Sequence, residues 1–510
     1  MSDNSKPPTR PNLTSIPGGR AQDAPSPEPQ APAGDDDAGS RVKTSAATVL
    51  VELALLNYTF GVATTGEPYA LPKDGPKVVR SLRGGAGALR PELALSYFTA
   101  TGKAAPAQAL ADALLVLEGQ AATADPVELH LRVAEHDGDL WLDLGDATGR
   151  AVRITTTGWS VELVAPVLFR RGALTSPLPV PQRGGTLDDL WTAVNVSDDA
   201  RPLLAAWLVA AFMPSIPHPV LAFSGEQGSG KSTASRVLVE VVDPSPVPVR
   251  KPPRDVESWV VAASGSWVVA IDNVSTVPDW WSDSICRAVT GDGDVRRRLY
   301  SDGDLHVFSF RRVILLNGIE WGTLRGDLAE RLLAVELLPI PSARRRRDGD
   351  LTAGWSRRHP LLLGALLDLA AGVAGVLPST TLDTPPRMAD YAHVLAAVDT
   401  ILGTNGLASY LDQGTSLAAD AIGSDPAISA IVTTLNSTFI GSSHELLEKI
   451  TPADPGWRAP RDWPKNPKAL TGRIRRNAPA LRRQGWQVTD NGTNRAGVLE
   501  WQLVPPTGDD

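Results

Sequence analysis

Residues 225–233 read Gly225-Glu226-Gln227-Gly228-Ser229-Gly230-Lys231-Ser232-Thr233. They satisfy the spacing GxxxxGK[ST], in which glycines let the backbone wrap a phosphate with its N–H groups turned inward. An apolar, strand-like run (219–224, "PVLAFS") precedes the loop and a helix-like run follows it, the context expected of a phosphate cradle at a helix N-terminus. All nine residues are therefore expected to hold a nucleotide. Lys231 should reach the β- and γ-phosphates of ATP, and the Ser232 hydroxyl should ligate Mg²⁺.

Working outward, two more strands follow. Residues 266–272 ("SWVVAID") form an apolar run ending in Asp272, whose carboxylate is expected beside the loop as a second Mg²⁺ ligand. The next residue is Asn273, where many hydrolysing ATPases carry a second acid; Asp279 and Asp283 are the nearest acids in sequence that could activate water instead. Residues 311–317 ("RRVILLN") end in Asn317, an amide placed to orient an attacking water, or an ordinary strand-ending turn residue. In "GDLAERLLAVEL" (326–337), Arg331 reads either as a finger reaching a neighbouring subunit's γ-phosphate or as the partner of Asp327 one helical turn back. Short apolar strands separated by helices or loops predict an α/β unit with a parallel sheet over 186–345.

These elements, in this order, resemble the superfamily 3 helicases of the AAA+ class, found in phage, plasmid and other mobile-element replication proteins. The stretch "AVTGDGDVRRRLYSDGDLHVFSFRRVILLNG" (288–318) is similar to that family's segment bearing a DNA-contacting hairpin. Residues 300–310, with Asp302-Gly303 at the turn, also read as a hairpin on their own. Arg296, Arg297 and Arg298 precede it and are expected either to bind phosphate or to end a solvated helix. The resemblance covers roughly residues 200–340, under a third of the chain. It implies an AAA+-like P-loop ATPase, ring assembly with a hexamer as one form, and DNA and a primase or other replication protein as partners.

The remainder frames that core. Residues 1–42 hold eight prolines and almost no large apolar side chains, and read as a disordered tail. Residues 43–118 read as helical and 119–185 as a small β-rich region with a hairpin at Asp137-Gly138, closed by a linker at 175–185. The acids Asp139, Asp143 and Asp146 read as outward hairpin side chains rather than a metal pair. Residues 346–424 read as helical, and the run "PLLLGALLDLAAGVAGVL" (360–377) as a core helix interrupted by Asp368. The arginines at 344–347 read as a DNA path or a solvated linker. One cysteine (Cys286) and a net charge of −8 exclude a disulfide framework and a uniformly basic coat, and fit a soluble cytoplasmic protein.

The last segment reverses the charge balance: residues 457–504 carry ten Lys/Arg against three Asp/Glu. Residues 425–510 run in the order expected of a winged helix, with an apolar stripe Leu470, Ile474, Ala478 and Leu481 along a basic helix (466–485). Lys468, Arg473, Arg476 and Arg483 fall off that stripe and are expected to meet DNA. The expected function is an ATP-dependent DNA helicase or translocase of a mobile element. An ATP-switched initiator or loader and, with less support, a small-molecule kinase are the rivals.

Overall fold

A computed structural model describes residues 44–506 apart from 85–86, 292, 298–304, 319–325, 345–346, 455, 461 and 495–496. The proline-rich stretch 1–42 lies outside the described residues, as do the turn at Asp302-Gly303, Arg298, Arg345 and Arg346.

Five parallel strands make the central sheet. In space they run Val249–Arg250, Val268–Ile271, Val313–Asn317, Val220–Ser224 and Leu332–Glu336. Because successive strand residues face opposite sides, the side chains divide in two. Leu221, Phe223, Val268, Ala270, Val313, Leu315, Leu333 and Val335 join one core; Val220, Ala222, Val269, Ile271, Ile314, Leu316, Leu332 and Ala334 join another. Both faces are covered, which is why these strands are apolar at nearly every position.

The first face carries the helix Lys231–Val242 and the helix Arg201–Ala210, buried from Pro202 onward, whose Trp207 Nε1 donates to Pro219 O at 3.1 Å. The second face carries Val256–Ser264 and Asp279–Thr290, with Trp259 and Trp281 packed edge to face. The sheet's outer strand is met by the helix Gly406–Ser424. There the Gln413 side chain accepts from Ala334 N at 2.8 Å and donates to Ala334 O.

The amino-terminal region, expected to be mostly helical, holds among its described residues three helices and also three short strands. After the helix Ala46–Asn57 the chain turns directly into strands Tyr58–Val62, Pro68–Pro72 and Arg80–Ser81, and only then into Leu89–Thr101 and Ala107–Ala121. Aromatic and β-branched residues in "YTFGV" favour the pleated surface, and the Asn57–Tyr58 junction has no Gly or Pro to mark it.

A four-stranded meander follows (Val133–His136, Asp139–Asp143, Ala151–Thr155, Gly158–Glu162). Asp137 (φ 51°) and Gly138 (φ 81°) form its first turn, as the Asp-Gly signal predicts. Its three aspartates beyond that turn each pair with an arginine: Asp139 with Arg153, Asp143 with Arg171, Asp146 with Arg150.

Residues 175–185 are not a loose tether. A Cβ on Gly364 would lie 1.8 Å from Gln182 O, and one on Gly185 would lie 2.1 Å from Leu361 O. The segment is pressed backbone to backbone onto the helix Asp348–Val376, and Gln182 N donates to Pro360 O. Within the described residues one stretch, Ala353–Ser379, is long and apolar enough to cross a membrane. Half of its most apolar window is buried in this fold, and its Asp368 accepts from Trp159 Nε1 and Arg183 Nη1.

The carboxy-terminal part runs helix Pro426–Thr434, strand Phe439–Ser442, helix Ser443–Ile450, helix Pro467–Arg483, and strands Gln487–Thr493 and Leu499–Val504. Its sheet places Leu499–Val504 between the other two. Ser442 and Glu445 form a capping box, fixing where the first of the paired helices starts. Leu470, Ile474 and Leu481 are fully buried and Ala478 nearly so, as the stripe predicts.

Candidate nucleotide-binding site

The parallel strands end together on one edge, and the loop 225–230 rises from the strand Val220–Ser224 at that edge. Gly225, Gly228 and Gly230 take φ of 131°, 88° and 86°, conformations that side chains resist. At Gly225 the need is also spatial, since a Cβ would lie 2.6 Å from Leu337 O. The helix Lys231–Val242 opens on Gly230 with no side-chain cap, so its first N–H groups face the loop and await an acceptor. Lys231 Nζ donates to Gly225 O at 2.7 Å and Glu226 O at 2.9 Å. The buried Ser229 Oγ has no hydrogen-bond partner among the described residues.

Ser232 Oγ lies 3.2 Å from Asp272 Oδ1, so the two expected metal ligands are already in contact. A cleft of about 640 Å³ opens here, walled by Lys231, Ser232, Asp272, Asn273 and Asn317 among others. Uncapped helix N–H groups, an ammonium, a hydroxyl and a carboxylate form the donor and acceptor set that a nucleoside triphosphate with Mg²⁺ requires. The chain fits that group.

The strand ending in Asn317 lies between the loop strand and the Asp272 strand. It therefore sets an amide between phosphate cradle and carboxylate. Asn317 is 1 % exposed; its Oδ1 accepts from Asn273 N at 2.9 Å and its Nδ2 donates to Ser235 Oγ at 3.0 Å. Val274 N also donates to Asn317 O. Asn273 itself has φ 57°, a left-handed conformation that Asn tolerates better than most side chains. Among the described residues Asp272 is the one carboxylate on the cleft wall; Asp279 and Asp283 belong to the helix Asp279–Thr290 and do not line it.

Arg331 requires correction. It precedes the strand Leu332–Glu336, at the end remote from the loop, and is 7 % exposed. With strands rising about 3.3 Å per residue, about 13 Å of sheet separates it from the cleft of its own chain. Its Nη1 donates to Asp327 O at 2.8 Å and to Asp327 Oδ1 at 2.5 Å. The i,i+4 pair engages Nη1 while the buried Nε has no partner among the described residues, and the side chain is not presented at the surface as a finger.

The expected DNA contacts also divide. Arg296 and Arg297 belong to the first strand of a two-stranded hairpin, Gly293–Arg297 with Leu305–Ser309, rather than to a helix end. Arg473 is not free, because its Nη1 binds Asp425 Oδ2 at 2.8 Å. Arg483 is likewise turned inward, donating to Gly414 O at 3.2 Å and lying 3.9 Å from Glu330. Lys468 and Arg476 are exposed, and so are Lys465, Arg475 and Arg482, which the apolar stripe alone does not single out. The inward pair could have been foreseen only with the acids of 330 and 425 in view, both remote in sequence.

Residues 187–420 match the family model described as the actinomycete integrative conjugative element replication protein, and residues 427–505 match the AICE RepA C-terminal domain. No curated protein matches. Apo structures of the NrS-1 C terminal region are similar at 12 % identity, covering 90 % of this chain and 98 % of that one with a TM-score of 0.35. A second such structure is similar at 11 % identity, covering 91 % and 100 %, also with a TM-score of 0.35. At that score the likeness carries no weight for fold or function.

Proposed function

Taking the chain as a replication protein of a conjugative mobile element, we propose that it is an ATP-driven DNA helicase or translocase of the AAA+ class, working as a ring. The observation that carries the reading is the antiparallel strand pair Gly293–Arg297 and Leu305–Ser309. It is inserted in the chain between the two strands whose ends, Asp272 and Asn317, wall the nucleotide cleft. A DNA-facing element is thereby tied to the site whose occupancy would change.

The residues divide the work. Backbone N–H groups of the loop and the helix start hold the phosphates, and Lys231 exchanges its bonds to Gly225 O and Glu226 O for phosphate oxygens. Ser232 and Asp272 would hold Mg²⁺, which when bound neutralises charge on the phosphates. Asn317, locked by Asn273 N and Ser235 Oγ, presents a fixed amide rather than a mobile one. The carboxy-terminal helices, winged-helix-like in order, would grip DNA through Lys468, Arg475 and Arg476.

One observation favours the second reading, an ATP-switched initiator or loader. The cleft has a single carboxylate among its described residues, and Asp272 is already engaged with Ser232. Slow hydrolysis suits a switch better than a motor. A forked-DNA strand-displacement assay run beside DNA-stimulated ATP hydrolysis separates the two. Displacement supports the motor, stimulation without displacement supports the loader, and neither would sink both.

For the grip, replacing Arg475 and Arg476 together by alanine should weaken DNA binding without sequence preference. The slope of log K against log salt should fall by about one for each phosphate that the helix no longer meets. An unchanged slope would remove this helix from the interface. Replacing Arg473 should lower stability rather than the slope, because it holds Asp425.

A further inference from the structure

A second cavity, of about 430 Å³, lies at the other end of the sheet. Arg312 lines it and immediately precedes the strand Val313–Asn317, whose far end reaches the nucleotide cleft. Arg170, Arg311 and Arg312 all stand on its wall, and Gly291 and Phe310 bring both feet of the hairpin to it. Three arginines from two segments far apart in sequence, residue 170 and residues 311–312, thus line one cavity.

Arg312 is the notable member. It is 8 % exposed; its Nε donates to Ala263 O at 2.5 Å and its Nη1 to Arg311 O at 2.6 Å. Its guanidinium lies 4.8 Å from the centre of the Phe310 ring. Both hydrogen-bond acceptors are neutral carbonyls. Among the described residues no carboxylate forms an ion pair with it. Asp243, whose charge reaches it from further off, is committed to Arg132 and to the N–H groups of Trp267 and Val268. Burial, reinforced by repulsion from Arg170, pushes the Arg312 guanidinium down to about 9. A buried cation without a counterion is costly unless an anion joins it.

The mouth has an adjustable charge. Arg170 Nη1 binds Glu67 Oε2 at 3.0 Å and its Nη2 donates to Ser264 O at 2.9 Å. The Glu67 side chain is 44 % exposed, free to swing out when a stronger anion arrives. Guanidinium forks pair bidentately with carboxylate or phosphate oxygens, and several cations together favour the more highly charged phosphate.

We infer that this cavity is a second phosphate-binding site, distinct from the 225–233 loop, formed by Arg312 at its base and Arg170 at its mouth. The phosphate belongs to a DNA strand or to a free nucleotide. The hairpin feet in the wall favour the DNA backbone, and that choice of source rests on the DNA reading above.

The test uses the full chain carrying Lys231→Ala, so that the nucleotide loop contributes little phosphate binding. Thermal unfolding is followed against added inorganic phosphate, with chloride at matched ionic strength as control. Phosphate is expected to raise the midpoint. Arg170→Gln should weaken that response about tenfold in concentration, as expected for one charged contact. Arg312→Gln should abolish it. Glu67→Gln removes the carboxylate paired with Arg170, leaving Glu128 as the other acid on the wall, and should strengthen the response several-fold, a gain that misfolding cannot produce.

A single-stranded oligonucleotide that competes with phosphate, and whose binding weakens in Arg170→Gln, identifies DNA as the source. Competition by mononucleotide alone identifies a free nucleotide. Absence of any phosphate-dependent shift, or Glu67→Gln and Arg170→Gln both behaving as their parent, overturns the inference. The readout needs no turnover, so it can fail while the ATPase reading stands, and the reverse.

Discussion

Lys231→Ala should reduce ATP hydrolysis by about 10²–10³-fold, the usual cost of losing one preorganised charged donor at a phosphoryl-transfer site. The side chain already stands at the helix start, held by two loop carbonyls, so little rearrangement separates this state from phosphate binding. Those carbonyls remain accessible to water when the ammonium is removed, so the thermal midpoint without nucleotide should move little. Steady-state phosphate release beside an unfolding scan checks both halves. A variant that hydrolyses ATP like its parent would remove the loop from the chemistry.

Arg132→Met is expected to be the most damaging change to stability, at about 3–5 kcal/mol, because it leaves a buried carboxylate uncompensated. Arg132 is 1 % exposed, and its Nε binds Asp243 Oδ1 at 2.8 Å. Its other nitrogens donate to Asp143 O, Ser176 O and Pro244 O, while Asp243 Oδ2 accepts from Trp267 N at 2.7 Å and Val268 N at 3.0 Å. One guanidinium thus joins the meander, the 175–185 strap and the sheet. Denaturant unfolding measures the loss. Asp243→Asn in the same chain should restore part of it, by removing the stranded charge while keeping an acceptor. A loss under about 1 kcal/mol would mean that water enters this junction.

The candidate cleft is legible in the sequence because its parts are local. Loop, Asp272 and Asn317 each terminate a strand buried on both faces, and such strands show as unbroken apolar runs. What escaped was decided by neighbours remote in sequence or by backbone conformation. Arg331 reads equally as finger or helix partner until its exposure is known, and its own burial together with the pair to the exposed Asp327 favours the helix partner. Asn273 looks like a missing acid, yet its φ of 57° and its bond to Asn317 give that position a backbone role. The strands between Tyr58 and Ser81 were hidden by a helix that passes into a strand without a breaker. The arginine cavity had no sequence signal at all, since residues 67, 170 and 312 meet only in the folded chain.

Gln413 carries a consequence for how this protein can be divided. An outer strand presents unpaired amides and carbonyls that can recruit a strand from another molecule. Here one glutamine side chain occupies Ala334 N and Ala334 O at the middle of that strand. A fragment cut after the sheet, before the helix Gly406–Ser424, would lose this plug and expose a sticky edge. A fragment of the sheet that stays dispersed therefore extends through residue 424, and one ending near residue 345 should collect in aggregates.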